Sequence, residues 1–415
     1  MTARVYPAEY VFPAHPDKLC DTIADALVEE AARREQRAQV GVEVAVNCNN
    51  VYVTGRIACR EAESIDVAGV ARKVFASVGY DDEWYPGPNE LKVHADLRLE
   101  PLADGEAEFR RMSDDQSIVS GYAVDLPGTN YLPPEHWLAW RISRRLAVLR
   151  SALPELRLGP DGKVIVLYEE MDGESRLVGL STSLQQQISG DCIDLHRTVL
   201  DAVKSELEHA AQAIPGFRPC VPEDLNVNGA GNFAEGGPVV DNGLSGKKLV
   251  VDAYGPRVPI GGGALSGKDF YKADRAGAIL ARRLAKAVVL TGTARESTAT
   301  VAFFPGDERA RVTRLIGDSV SAIETTPWEK LLDLSLAGVG DRYGCLEDLT
   351  EVARWGHFLN GDLGWERMGF DNSTASTTPH PNLSPARSGA PISSYPSNAT
   401  FSPHDINERK DPTYV

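Results

Sequence analysis

Between Gly229 and Arg275 glycine, lysine and aspartate alternate so densely that this stretch constrains the fold more than any other. It holds Gly229-Ala-Gly-Asn-Phe233, Gly236-Gly-Pro-Val-Val-Asp241, Gly243-Leu-Ser-Gly-Lys247-Lys248, Asp252, and Gly261-Gly-Gly-Ala-Leu-Ser-Gly267-Lys268-Asp269-Phe-Tyr-Lys272-Ala-Asp274-Arg275. Glycine lets backbone N–H groups approach an anion closely, and lysine supplies point charge to phosphoryl oxygens. Carboxylates set among those lysines suit Mg²⁺, which takes one or two carboxylates together with phosphate oxygens. The expectation is a Mg²⁺–polyphosphate site, weighed against the plainer reading of a solvated, turn-rich surface. Gly262 to Lys268 fits seven positions of a phosphate-binding loop of the form GxxxxGK[ST]. Asp269 replaces its metal-binding hydroxyl, however, and Pro256–Ile260 is no clean buried strand, which disfavours that fold.

A second chemical feature opens the first helix. Leu19, Ile23, Leu27 and Ala31 recur every four residues, so a helix is expected from Pro16 to about Gln36, with Pro16 in its first turn. Asp17, Asp21 and Asp25 form a separate stripe on it. His15 stands beside its positive end, where an anion is favoured, and Asp17 could hold a metal or simply cap the helix. A hairpin is expected over Val40–Val46 and Val51–Ile57, with Glu43 projecting from it. Further helices are expected near Ile65–Val78, His136–Leu153, Asp194–Ala213, Asp274–Val289 and Ala310–Ile323, and strands at Lys163–Tyr168, Lys248–Asp252 and Thr298–Phe304. The class is α+β. After Asp371 the chain is rich in Ser, Thr, Pro and Asn, and this tail is expected to be disordered.

The 415 residues allow several domains, and a formal net charge of −16 argues against nucleic acid or an anionic membrane as a partner. Six scattered cysteines without a CxxC point to reduced thiols, and no signal pattern or membrane-length apolar run is present. The expected location is cytoplasmic.

His15-Pro16-Asp17-Lys18, Asp115-Gln116 with Gly121-Tyr122-Ala123, Asp161-Gly162-Lys163, Gly231–Gly255, Gly261–Arg275 and Gly356-His357-Phe358 occur in the order of the motifs of S-adenosylmethionine synthetase (methionine adenosyltransferase), and the chain resembles that family over roughly residues 10–370. The resemblance implies three similar α+β domains in a pseudo-threefold arrangement, here 1–111, 112–235 and 236–370, followed by the tail 371–415. It also implies a homodimer or dimer of dimers with active sites at the subunit interface. The implied reaction joins ATP to methionine, or a related thioether amino acid, with release of triphosphate that is then cleaved to pyrophosphate and phosphate.

Carried onto this chain, the resemblance makes His15 a donor to the leaving triphosphate and Lys163, Lys247, Lys248, Lys268 and Lys272 its holders. Phe233 would stack on adenine, Asp115 and Asp161 would lie near the nucleoside or amino acid, and Asp241 would meet the substrate ammonium. Asp17 and Asp274 would be Mg²⁺ ligands and Glu43 a K⁺ neighbour. Departures gather at the amino-acid end. Thr54-Gly55-Arg56 stands where the family has Gly-Gly-Glu, which reverses a charge beside the expected ammonium. The family's QSPDI loop has no counterpart in Leu97–Arg111. The phosphate and metal positions are nearly all kept, apart from Lys247, which replaces an arginine. These departures keep open two other readings, a triphosphate- or nucleotide-hydrolysing enzyme and a regulatory paralogue without adenosyl transfer.

Overall fold

Helical spacing accounts for the longest helices, two of which open on a side-chain cap, His15 and Asp191. The computed structural model describes residues 3–344 and 348–369; the tail expected at 371–415 lies outside the described residues. The first part of the chain forms β1 (Arg4–Val11), α1 (Pro16–Arg34), β2 (Gln39–Asn47), β3 (Asn50–Ala58), α2 (Val67–Val78), β4 (Lys92–Glu100) and the one-turn α3 (Glu106–Phe109). The middle forms β5 (Ser117–Val124), α4 (Pro134–Ala152), β6 (Leu158–Met171), β7 (Glu174–Gln186), α5 (Cys192–Ala213), β8 (Phe217–Arg218) and β9 (Asp224–Val227). The last part forms β10 (Gly243–Leu244), α6 (Leu249–Asp252), α7 (Ala273–Leu290), β11 (Glu296–Phe303), β12 (Arg311–Ile316), α8 (Thr326–Leu331), α9 (Leu336–Tyr343) and α10 (Leu349–Trp355).

In α1 the periodic residues Leu19, Ile23, Leu27 and Ala31 are fully buried, the three larger ones stabilising the fold by about 1.5–3 kcal/mol each. The acidic stripe Asp17, Asp21 and Asp25 is equally buried. Carboxylates in such a place need partners, so the stripe must be hydrogen-bonded to something. The hairpin is in the expected place, with Gly41 opposite Arg56 and Glu43 opposite Thr54. Val40, Val42, Val44 and Val46 face inward and Glu43 outward.

Two expected elements are corrected. Lys248–Asp252 is not a strand: its apolar residues form the single helical turn α6, which buries Val251 and Asp252. Ala310–Ile323 is not a helix; its first half is β12, which runs back antiparallel along β11. Val312 is half-buried and Leu315 buried while Thr313 and Arg314 are exposed, a pattern that departs from strict alternation because Thr313 bulges from the ladder opposite Thr300 and Val301.

Among the described residues three sheets form, and each repeats one plan. A helix precedes a hairpin, and a strand from elsewhere in the chain pairs antiparallel with the hairpin's first strand. The helices are α1, α4 and α7; the hairpins are β2–β3, β6–β7 and β11–β12. The added strands are β10 on β2, β1 on β6 and β5 on β11. In the first two sheets a parallel strand also flanks the hairpin's second strand, β4 on β3 and β9 on β7. The added strands are exchanged in a ring: the first part completes the middle sheet, the middle completes the last, and the last completes the first. Close approach maintains this packing. A Cβ at Gly121 of β5 would lie 2.0 Å from the backbone carbon of Ala281 in α7, so only glycine fits there. Among the described residues no helix is long and apolar enough to cross a membrane.

Candidate active site

The acidic stripe of α1 finds its partners in the glycine-rich loops. Asp17 Oδ1 accepts from Leu244 N at 3.0 Å, Asp21 Oδ1 from Gly246 N at 2.8 Å, and Asp25 Oδ1 from Gly267 N at 2.9 Å. One helix face therefore positions both loops that carry the candidate lysines. Lys18 donates to Asp21 at 3.2 Å and to Asp252 at 2.5 Å. Arg275 donates to both oxygens of Asp25 at 2.6 Å and lies 3.3 Å from His357 Nε2. These supporting residues carry no site role in the sequence reading. The spacing of Asp17, Asp21 and Asp25 was the available signal, because three acids on one helical stripe must face either water or donors.

At the N-terminal end of α1, His15 Nδ1 accepts from Asp17 N at 3.2 Å, so the ring proton lies on Nε2. Burial first, with Lys248 adding and Asp17 opposing, lowers the His15 pKa to about 4. The ring is thus a neutral donor at physiological pH. Asp17 faces Lys248 Nζ at 3.0 Å and Lys247 Nζ at 3.6 Å. Lys163 and Asp241 stand close enough to His15 to act on its charge. Lys163 itself pairs with Glu9 at 2.5 Å. Asp161 Oδ2 accepts from Gly237 N at 2.8 Å, and burial chiefly, with Asp241 adding, raises its pKa to about 6. Phe233 packs beside Gly236, where an added Cβ would lie 3.0 Å from the ring.

A second cluster lies further along the stripe. Lys268 pairs with Asp274, whose Oδ1 accepts from Ser117 Oγ at 2.6 Å. A Cβ at Gly263 would meet the Asp274 carboxylate at 2.0 Å, so this glycine is what lets the acid sit against the loop. Lys272 pairs with Asp114, and Asp115 turns back to accept from Gln116 N at 2.7 Å. Glu43 Oε2 accepts from Ser245 Oγ at 2.8 Å, on the loop that leads to Lys247. Arg56 is held by two carboxylates, donating to Glu100 at 2.6 Å and to both oxygens of Glu106 at 2.5 and 3.0 Å.

The structure therefore brings His15, Asp17, Lys163, Asp161, Asp241, Lys247 and Lys248 into one group and Lys268, Lys272 and Asp274 into another. Arg275, next to Asp274, meets Asp25, which lies two turns or about 12 Å along α1 from Asp17. Asp17 has an acceptor to offer a metal. Its Oδ2 is buried, and although Lys248 is 3.0 Å away it accepts no well-directed hydrogen bond. Among the described residues no group of three or more His, Cys, Asp or Glu could hold a metal ion. Isolated carboxylates fit Mg²⁺ carried in with phosphate oxygens better than a metal caged by protein alone.

Residues 3–97 match the N-terminal domain of S-adenosylmethionine synthetase and residues 235–367 its C-terminal domain. The S-adenosylmethionine synthase of Desulforudis audaxviator is 31% identical over 402 residues, covering 89% of this chain and 97% of that protein. That of Thermosynechococcus vestitus is 33% identical over 408 residues, covering 88% and 95%. The chain belongs to the S-adenosylmethionine synthetase family.

Proposed function

With that family membership as the premise, we propose that this enzyme transfers the adenosyl group of ATP to the sulfur of methionine or a closely related thioether amino acid. The thioether sulfur attacks C5′ of the ribose, the C5′–O bond breaks, and the electron pair leaves on the triphosphate. The triphosphate is then hydrolysed to pyrophosphate and phosphate. The observation that carries this reading is the grouping of a neutral His15 with Lys163, Lys247 and Lys248 at the positive end of α1. No protein nucleophile is required. Catalysis comes from orienting the two substrates and from stabilising the charge that develops on the leaving oxygen.

In this reading His15 donates its Nε2 proton in a hydrogen bond to the triphosphate. Lys247 and Lys248 turn from Asp17 to phosphoryl oxygens, and Lys268 and Lys272 contribute from their loop. Mg²⁺, held by Asp17 and Asp274, would supply further neutralisation of the polyphosphate, and K⁺ would sit near Glu43. Phe233 stacks on adenine, Asp115 and Asp161 lie near the nucleoside or amino acid, and Asp241 meets the ammonium. The separation of the Asp17 and Asp274 groups along α1 supports a site completed by a second copy of the chain, in a homodimer or dimer of dimers. We also propose three structural units, 1–111, 112–235 and 236–370, with strands exchanged between them, and a cytoplasmic enzyme without nucleic-acid or membrane partners.

The test is mass spectrometry of products from ATP, Mg²⁺, K⁺ and a panel of thioether amino acids. An adenosyl sulfonium together with pyrophosphate and phosphate is expected. Phosphate release without a sulfonium would replace this reading with a hydrolase, and intact ATP across the panel would replace it with a regulatory paralogue.

A further inference from the structure

We propose that Arg56 is a positioning residue for the loop bearing Lys268 and Lys272, acting through the one-turn helix α3. The inference rests on the adenosyl-transfer reading, because it assigns those lysines to the triphosphate. Arg56 grips Glu106 with both Nη atoms and Glu100 with Nε. A two-pronged guanidinium–carboxylate pair fixes direction as well as distance. Glu106 is the first residue of α3, and its Oε2 also accepts from Ala103 N at 2.9 Å, closing the turn that leads in. A helix of one turn has no stability of its own, so contacts of this kind decide where it lies.

From the far end of α3 the contacts continue inward. Arg110, 4% exposed, pairs with Asp269 and lies over the Tyr271 ring at 5.3 Å. Asp269 organises its loop: Oδ2 accepts from Val40 N at 2.7 Å, Oδ1 accepts from Tyr271 N at 2.8 Å, and its carbonyl accepts from Lys272 N at 3.1 Å. Lys268 precedes Asp269 directly, and Lys272 follows one turn later. A shorter route runs through the sheet itself. Gly41 faces Arg56 on one side and bridges to Lys268 on the other, with no side chain of its own between them. Arg56 is therefore joined to the lysine loop both through α3 and across Gly41.

Without Arg56, Glu100 and Glu106 would repel one another, and the pull on α3 that seats Arg110 would be lost. The experiment compares full-length wild type, Arg56→Gln and Glu106→Gln by hydrogen–deuterium exchange and by calorimetric binding of inorganic triphosphate. Both variants are expected to exchange faster in 101–111 and also in 267–272, and to bind triphosphate about tenfold more weakly. Glu106→Gln keeps the test open should Arg56→Gln fold poorly. In adenosyl transfer Arg56→Gln is expected to raise the KM for ATP and leave the KM for the amino acid unchanged. Faster exchange confined to 101–111 with triphosphate binding as in wild type would overturn the proposal. So would an effect on the amino-acid KM alone, which would place Arg56 against that substrate. Failure of the transfer reading looks different: wild type would form no sulfonium, while the exchange result would still report on the relay.

Discussion

The two ends of the acidic stripe on α1 use the same residue types to opposite effect. At the N-terminal end Asp17 meets Lys247 and Lys248, whose side chains are 43% and 16% exposed. One and two turns further, Asp21 and Asp25 meet Lys18 and Arg275, which are essentially sealed from water. The outer cations are paired on one side and open on the other, so a polyphosphate can take them. The inner ones are enclosed, and each supports two carboxylates or a carboxylate and a histidine. In the proposed reaction, exposure of the cation, rather than the identity of its partner, separates charge offered to substrate from charge that supports it.

The strongest challenge to that contrast is Lys18→Met. It would leave Asp21 and Asp252 buried without their cation, at a cost of about 3–5 kcal/mol at pH 8. The Asp21 pKa is already pushed up to about 7, chiefly by burial. In the variant it should take up a proton readily, so the loss measured by urea unfolding should shrink towards pH 5.5. An equal loss at both values would mean that Lys18 acts through packing rather than charge. At the outer end the expectation reverses. Lys247→Met should lower kcat/KM for ATP about 100-fold and leave stability within about 0.5 kcal/mol of wild type. A large fall in stability there would erase the distinction between the two ends.

Asp161 gives the smallest and most diagnostic effect. It lies at the open end yet is buried and accepts from a backbone amide instead of a cation. Its folded pKa of about 6 exceeds the ordinary 3.8. Ionisation therefore costs stability progressively as pH rises from about 4 to about 6, and by a constant amount above that. Asp161→Asn should stabilise the protein by about 2 kcal/mol at pH 7.5 and by less at pH 5. Equal stabilisation at the two pH values would show that the buried charge is not what sets the difference.

The long helices and the β2–β3 hairpin were legible because their patterns are local. Leu19 to Ala31 show the period of a helix, and Val40 to Val46 show the alternation of a strand. The added strands β1 and β5 were not read, because each pairs with a hairpin far away in the chain and little nearby marks it. Leu249–Asp252 misled for the opposite reason: two valines suggest a strand, but the position of Asp252 against Lys18 imposes a helical turn. In the site, residue types and spacing pointed to the lysines and acids. Spacing marked Asp21 and Asp25 as one stripe with Asp17, but it could not tell which acids form the frame, since a carboxylate looks the same in sequence whether it meets substrate, amide or arginine. Nor could it reveal that Arg56 is already held by Glu100 and Glu106, residues 44 and 50 positions away.

The ring of exchanged strands has a consequence for how the protein comes into being. β1 is synthesised about 150 residues ahead of its partner β6, and the β2–β3 hairpin waits still longer for β10. Contacts of such range form slowly, and until they form the hairpins have open edges on which another chain could pair. No sheet closes until chain from another part of the molecule has arrived, so the three sheets should gain stability together. A fragment cut between any two of them would lack a strand its remaining sheet requires.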